Sequence, residues 1–235
     1  NFSLSEALIN ARTMLAEGAS YIDIGAESTR PGAAPVTTDE EWLRLKDFLK
    51  NANGLPISLD TRNPEAAGKA LVTGNVKILN DVSGFSSLQM LELAVLHKTD
   101  IITMHSLTIP ADKSVTIKGD PLPVLKEWIK TQFTRLTSQG IKAEKIIFDV
   151  GIGFGKTPQQ SHILIDAAPE LAALCHSLGA RILYGHSRKS FLGAATIQQK
   201  DAETARLTTQ LGLAGVDFVR VHDIKSNKAA LGHTN

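Results

Sequence analysis

Short apolar runs recur along the 235-residue chain, and each ends abruptly in polar or glycine-rich residues. The runs cover residues 21–25, 56–60, 77–80, 100–104, 145–149, 181–185 and 217–221. A half-exposed strand alternates apolar and polar residues, and these runs do not, so they predict strands covered on both faces of a parallel sheet. Their polar ends fall at the carboxyl end of each run, where α/β folds place their active sites.

Helical patterns fill the intervals between these runs. Residues 3–6 and 38–41 have the spacing of a capping box. Asn63 before Pro64 predicts a cap followed by a proline at the first helical position, with Gly74 ending that helix. Longer helical patterns cover residues 123–140, 158–179 and 202–215.

The alternation of strands and helices predicts an α/β fold, a (β/α)₈ TIM barrel. A barrel of this kind has eight strands, and the chain has seven runs and opens on a helix. We therefore expect the first strand and its loop to lie upstream of Asn1. Since no linker composition divides the chain, we expect residues 1–235 to form a single domain.

Composition narrows the class of protein. Lys and Arg total 25 and Asp and Glu 24, a balance that disfavours general binding to nucleic acid or membranes. Cys175 is the only cysteine and cannot form an intramolecular disulfide. The sequence also lacks a long apolar span and a signal-peptide pattern. These observations favour a cytoplasmic protein.

A glycine-rich turn follows the fifth run. Gly151, Gly153 and Gly155 alternate with Ile152 and Phe154, two residues after Asp149. Glycines let the backbone approach a ligand closely, and the phenyl ring offers an apolar face to a flat ring. The spacing is not that of a P-loop. A buried carboxylate at the strand end is more specific, because Asp149 then needs a donor-rich partner.

The last two runs end in cationic residues. Residues 185–191 combine hydroxyl and cationic side chains before a helix. This combination suits the binding of an anion or an aromatic acid. The alternative is a solvated loop with a helix cap. Arg220 and His222 point to the same side of the last strand, as expected for a phosphate or diphosphate site.

Polar residues also end the second and third runs. Asp60, Asn80 and Asp81 could together form hydrogen bonds with the polar edge of a heterocycle, since carboxylates accept hydrogen bonds and amides both donate and accept them. The alternative is that Asn80 or Asp81 caps the following turn.

Residues 27–32 form a predicted loop, which is interpreted as either a substrate loop or a solvated turn. Met104 is interpreted as a packing residue.

Some residues are not assigned to a site. His97, His162 and His176 fall in helical patterns and are expected at the surface. Spacings typical of structural zinc are absent from the sequence, so no tightly held metal is predicted.

In their order along the chain, these motifs resemble dihydropteroate synthase, a family of pterin-binding TIM-barrel enzymes. The matching stretches are residues 22–32, 57–61, 78–84, 104–105, 149–156, 187–191 and 220–223. The resemblance implies a transferase of folate biosynthesis. It would join (7,8-dihydropterin-6-yl)methyl diphosphate to 4-aminobenzoate and release 7,8-dihydropteroate and diphosphate, by a dissociative route in which the diphosphate leaves first.

The resemblance also implies a role for each matching residue. Pterin binding falls to Asp60, Asn80, Met104, Asp149, Phe154, Gly185 and Lys189. Aminobenzoate binding falls to Thr29, Arg30, Pro31 and Ser190. Diphosphate binding falls to Arg220 and His222. The catalytic set is Lys189, Arg220, His222 and Arg30.

Further expectations come from the same resemblance. Mg²⁺ would accompany the diphosphate, with its Asn ligand upstream of the sequence and no ligand within it. A homodimer and inhibition by sulfonamides are implied, and fusion to an upstream pterin pyrophosphokinase stays open.

Two departures from the family pattern are Ala26 and Val150, where glycine and proline are usual. Two other classes stay open as alternatives. A corrinoid-dependent pterin methyltransferase is disfavoured by the loops at residues 28–32 and 187–191. A non-catalytic pterin-binding paralogue is disfavoured by Lys189, Arg220 and His222.

Overall fold

The computed structural model describes residues 3–27, 36–112 and 114–232 of the chain. The chain divides into two compact units, Asn1–Thr103 and Met104–Asn235. In the part of the chain that is described, no helix is long and apolar enough to cross a membrane. The organisation as one domain stays a prediction.

Helices and parallel strands alternate through the first unit. They are α1 (Leu4–Ala16), β1 (Ile22–Gly25), α2 (Thr38–Asn51), β2 (Ile57–Asp60), α3 (Pro64–Leu71), β3 (Val76–Asp81), α4 (Leu88–His97) and β4 (Asp100–Met104). The strands pair in chain order, and the register aligns Gly25 with Asp60 and Asp60 with Asn80. The carboxyl ends of β1, β2 and β3 are therefore level.

The second unit continues the same alternation. It contains α5 (Pro121–Ser138), β5 (Ile146–Asp149), α6 (Pro158–Asp166), α7 (Ala168–Ser177), β6 (Arg181–Tyr184), α8 (Ile197–Leu213), β7 (Phe218–Val219) and α9 (Ile224–Gly232). Short 3₁₀ helices cover Ala143–Lys145 and Ser190–Leu192. β5 pairs with β6 and β6 with β7, both in parallel, with Asp149 beside Leu183.

All seven predicted strands are confirmed, with small shifts at their ends. β5 is buried along its whole length, as expected for a strand covered on both faces. The expectation of burial on both faces is wrong for β1 and β7. Asp23 and Gly25 are exposed on β1, and both residues of β7 are half-buried. Among the described residues β1 pairs only with β2 and β7 only with β6, so fewer neighbours cover them.

The helix starts follow the capping signals, with one correction. Ser3 and Glu6 form the predicted capping box, and Asn63 caps the helix that begins at Pro64. The second box begins one residue earlier than predicted, because Thr37 has the extended backbone of a cap and pairs with Glu40. The predicted cap Thr38 is already helical.

Three predicted helix ranges and one helix end also need correction. The pattern at residues 123–140 begins at Pro121 with Asp120 as its cap. The pattern at residues 158–179 is two helices that meet at Ala167. The pattern at residues 202–215 starts at Ile197, after a capping box that begins at Thr196. The third helix ends at Leu71, before the predicted stop at Gly74.

Candidate active site

Asp23 organises the strand ends of the first unit. Its Oδ1 accepts a hydrogen bond from Ser58 Oγ at 2.6 Å, and Asn80 Nδ2 lies 3.4 Å from both carboxylate oxygens. The amide of Asn80, which is buried, is thereby oriented by its neighbour two strands away. Sequence analysis did not assign Asp23 to the site. The one signal was a carboxylate inside an apolar run.

Asp60 ends β2 in register with Asn80 and is half-buried. Across the sheet, Gly25 approaches it so closely that a Cβ atom there would lie 3.0 Å from the Asp60 carbonyl oxygen. A larger residue at position 25 would press against the end of β2 and require a shift of a few tenths of an ångström there. Glycine avoids this contact beside the Asp60 carboxylate.

Asp81 is a turn-forming residue. Its carboxylate accepts hydrogen bonds from the backbone N–H groups of Ser83 at 2.7 Å and Phe85 at 3.2 Å. The side chain is fully buried, and burial raises the pKa of Asp81. The turn-capping alternative thus holds for Asp81. Asn80 instead directs its side chain to Asp23.

Charged residues of the first unit lie at the base of the predicted substrate loop. Glu27 and Arg62 form a two-bond ion pair, with both N···O distances at 2.9 Å, and this pairing lowers the pKa of Glu27. Glu41 is buried on α2, and burial raises its pKa. The predicted aminobenzoate residues Thr29, Arg30 and Pro31 lie outside the described residues.

In the second unit Arg220, which is half-buried, forms an ion pair with the buried carboxylate of Asp149. The Asp149 carboxylate accepts from Arg220 Nη2 at 2.7 Å and from the Gly151 N–H at 2.8 Å. Its side chain is 1% exposed. The prediction that this carboxylate needs a donor-rich partner is confirmed. A Cβ atom at Gly185 would lie 3.0 Å from Arg220 Nη2, so glycine leaves room for the guanidinium.

Ser187 orients the imidazole of His222. The Ser187 Oγ lies 2.9 Å from His222 Nδ1 and also accepts from the His222 backbone N–H at 3.3 Å. Since the hydroxyl accepts from the backbone, its own hydrogen can be donated to Nδ1. A neutral imidazole then carries its proton on Nε2. Ser187 belongs to the motif at residues 187–191, and no sequence signal near it predicted this contact with His222.

The glycine loop carries Phe154 beneath Lys189. The Lys189 ammonium lies 4.5 Å from the centre of the phenyl ring, a cation–π contact. Gly151 passes so close to the chain that a Cβ atom would lie 2.0 Å from the His105 carbonyl oxygen. The loop shape therefore depends on glycine at this position.

The remaining predicted residues occupy different environments. Met104 is buried at the end of β4, as expected of a packing residue, and Ser190 is exposed at the start of a 3₁₀ helix. His186 is buried, and its Nε2 lies 3.1 Å from both the Thr204 carbonyl oxygen and the Thr208 hydroxyl. This histidine is therefore a packing residue.

The three histidines that were left unassigned, His97, His162 and His176, are exposed. His176 Nε2 lies 3.0 Å from Asp217 Oδ2, and the ring of His162 packs edge-on against Phe191. These contacts belong to the surface, as predicted.

Comparison with known proteins identifies the family. The model of the family described as "Pterin binding enzyme" matches residues 1–222. The dihydropteroate synthase of Synechocystis sp. is 37% identical over 233 residues, which cover 95% of this chain and 79% of that protein. A probable bifunctional folylpolyglutamate synthase/dihydropteroate synthase of Halobacterium salinarum is 35% identical, and the chain spans 28% of its length.

Solved structures agree with this assignment. Dihydropteroate synthase from Anaplasma phagocytophilum with bound 6-hydroxymethylpterin-monophosphate has a TM-score of 0.90 and 35% identity, covering 99% of this chain and 94% of that one. The Thermus thermophilus enzyme in complex with 4-aminobenzoate has a TM-score of 0.86 and 34% identity, with coverages of 97% and 88%. A Yersinia pestis complex with a sulfonamide drug has a TM-score of 0.90 and 28% identity, with coverages of 99% and 85%.

This likeness confirms the predicted α/β barrel class. The family model, the sequence relatives and the similar solved structures all agree with the family that the sequence motifs resemble. The chain belongs to the pterin-binding enzyme family and, within it, to the dihydropteroate synthases.

Proposed function

We propose that the protein condenses (7,8-dihydropterin-6-yl)methyl diphosphate with 4-aminobenzoate to give 7,8-dihydropteroate and diphosphate. The observation that carries the proposal is the buried Asp149 carboxylate, which is held by Arg220 and shares its motif with Phe154, the ring over which Lys189 lies. An acceptor and an apolar ring face are what an N–H-rich flat heterocycle requires. The ligands named for the Anaplasma and Thermus relatives support both substrates.

The pterin is assigned to residues of matching chemistry. Carboxylates of Asp60 and Asp149 accept from ring and amino N–H groups, while the amide of Asn80 donates and accepts. Phe154, Met104 and Gly185 supply apolar surface and space, and Lys189 adds a cation above the phenyl ring. The family resemblance supports these roles.

The leaving diphosphate is assigned to Arg220 and His222. The guanidinium of Arg220, which donates to Asp149, and the imidazole of His222, which lies against Ser187, bring N–H groups of the kind that bind phosphate oxygens. In the dissociative route the C–O bond breaks and its electron pair leaves with the diphosphate. The aniline nitrogen of 4-aminobenzoate then attacks the pterin methylene cation and loses a proton. Donors placed around the departing oxygens lower this barrier.

The aminobenzoate is assigned to Thr29, Arg30, Pro31 and Ser190, on the motif alone for residues 29–31. Dependence on Mg²⁺, inhibition by sulfonamides, a homodimer and a cytoplasmic location are further parts of the proposal. The described residues contain no group of three or more His, Cys, Asp or Glu side chains placed to hold a metal. A rate measured with and without EDTA checks the dependence on Mg²⁺.

Diphosphate release from the pterin diphosphate, measured with the full-length protein with and without 4-aminobenzoate, tests the function. We expect dihydropteroate to form only when both substrates are present. Lys189→Ala should lose this activity and melt nearly unchanged, because its contact with Phe154 contributes only about 0.5–1 kcal/mol. Lys142→Ala, at a side chain that is 76% exposed, is the matched control. The absence of release under both conditions would refute the assignment.

A further inference from the structure

Lys156 carries a buried ammonium that the proposed function does not use. The residue follows the glycine loop and is 6% exposed. Its Nζ lies 2.8 Å from His105 Nδ1, 2.9 Å from the Phe154 carbonyl oxygen and 3.3 Å from the His105 carbonyl oxygen. Burying an ammonium costs several kcal/mol unless its hydrogens find acceptors. Here three N–H donors meet three acceptors, so the side chain is held in one geometry.

The imidazole of His105 is the neutral partner of this cation. Burial, together with the Lys156 charge, lowers the pKa of His105 to about 3, so Nδ1 is an acceptor and the ring proton lies on Nε2. Burial also lowers the pKa of Lys156 to about 7, while Asp149 on β5 opposes this shift and Lys189 reinforces it. The ring of Trp128 on α5 packs edge-on against His105 at 5.2 Å.

Lys156 joins two segments of the second unit. One is the chain at His105, immediately after β4, whose backbone N–H donates to the Asp149 carbonyl oxygen. The other is the glycine loop, which Lys156 holds at Phe154. The phenyl ring of that same residue lies beneath Lys189. Movement of the Phe154 backbone would therefore displace the stack.

We propose that Lys156 is a positioning residue of the pterin site, which links the Phe154 carbonyl to His105 and so fixes the ring on which Lys189 lies. The inference rests on the proposed function, because that function assigns Phe154 and Lys189 to the pterin. Lys156 touches neither substrate in this assignment and acts through Phe154.

Pterin binding tests the proposal. Lys156→Met keeps the length of the side chain but removes the charge and the donors, and Lys118→Met changes an exposed lysine of the same unit as a matched control. With calorimetric titration of 6-hydroxymethylpterin, we expect Lys156→Met to weaken binding by about tenfold, the loss expected for one displaced contact, and Lys118→Met to change nothing. The KM for the pterin diphosphate should rise more than the KM for 4-aminobenzoate.

A double mutant separates positioning from general stability. If Lys156 acts through Phe154, then adding Lys156→Met to Phe154→Leu should weaken pterin binding little beyond the Phe154→Leu value. Additive losses would overturn the proposal. So would a Lys156→Met protein that melts earlier but binds pterin like the Lys118→Met control. If Lys156→Met does not fold, Lys156→Gln, whose amide still donates but carries no charge, is compared in the same way.

A fluorescence titration tests the contact without any substrate. In a Trp42→Phe background Trp128 is the only indole, because the chain has two tryptophans, and a protonated imidazole quenches a neighbouring indole. Removing the Lys156 charge should raise the pKa of His105, so quenching should begin at a higher pH in Lys156→Met. An unchanged midpoint would refute the contact. Failure of the unmodified protein to bind pterin would refute the proposed function instead.

Discussion

The buried carboxylates that end β3 in the first unit and β5 in the second are held by different kinds of donor. In the first unit, Asp81 is held by two backbone N–H groups, and Asp23 accepts from a hydroxyl and lies within 3.4 Å of an amide. In the second unit, Asp149 is held by a guanidinium, and a buried ammonium lies nearby at Lys156. Breaking hydrogen bonds to neutral donors costs about 1–3 kcal/mol, whereas removing one partner of an ion pair around a buried charge costs about 3–5 kcal/mol.

This difference matches the chemistry proposed for each set of residues. Carboxylates and an amide suit the N–H groups of a heterocycle, and Asp60 and Asn80 supply them in the first unit. N–H donors and cations suit a leaving diphosphate, and the residues proposed for it, Arg220 and His222, belong to the second unit. The same βα repeat thus carries different binding chemistry because different side chains end its strands.

Removal of Arg220 should have the largest effect. Arg220→Met leaves the Asp149 carboxylate buried with its backbone donor alone, and we expect a loss of about 3–5 kcal/mol in the free energy of unfolding. Urea denaturation measures the loss. Arg206→Met removes an exposed ion pair with Glu203 and should change the free energy by less than about 1 kcal/mol. Equal losses in both variants would remove the contrast between buried charge and surface charge.

Neighbouring residues of β3 should respond differently to truncation. Asp81→Ala deprives two backbone N–H groups of their acceptor and should destabilise the protein by about 1–3 kcal/mol. Asn80→Ala removes two hydrogen bonds that are long, at 3.4 Å, and should cost less stability but more affinity for 6-hydroxymethylpterin. Thermal melting and calorimetry measure the two quantities. A larger loss of pterin affinity in Asp81→Ala than in Asn80→Ala would instead assign pterin binding to Asp81.

Local patterns predicted much of the fold, because caps and strand ends depend on residues a few positions apart. Ser3 with Glu6 and Asn63 with Pro64 were predicted in this way. The partners in the site were not, because they are distant along the chain: 35 residues separate Asp23 from Ser58 and 71 separate Asp149 from Arg220. The sequence indicated that Asp149 needs a donor without indicating which one.

Lys156 illustrates the same limit. The residue stood in a recognised motif, yet its acceptor His105 is 51 positions away, and nothing local marked the lysine as buried. A lysine after a glycine loop is ordinarily taken as a surface cation. Its role emerges only when burial and the three acceptors are known together.

The smallest expected effect on stability is at Glu41, where the substitution should stabilise the protein, whereas the other substitutions destabilise it. Glu41 is 3% exposed, and its Oε1 has no hydrogen-bond partner among the described residues. Burial raises its pKa, so the folded protein binds the proton more tightly than the unfolded chain, and stability falls as pH rises through the interval between the two pKa values. Glu41→Gln is neutral at every pH. It should therefore be more stable than the unmodified protein at pH 7, by about 1 kcal/mol.

This advantage should shrink as the pH falls through the pKa of Glu41, because the unmodified carboxyl group then becomes neutral as well. Urea denaturation of both proteins between pH 5 and 8 measures the difference, and Glu92→Gln, at an exposed position on α4, provides the control. An unmodified protein that is the more stable at pH 7 would mean that Glu41 is charged and compensated in the fold. The first unit would then also depend on a buried charge, and the contrast between the units would be one of degree.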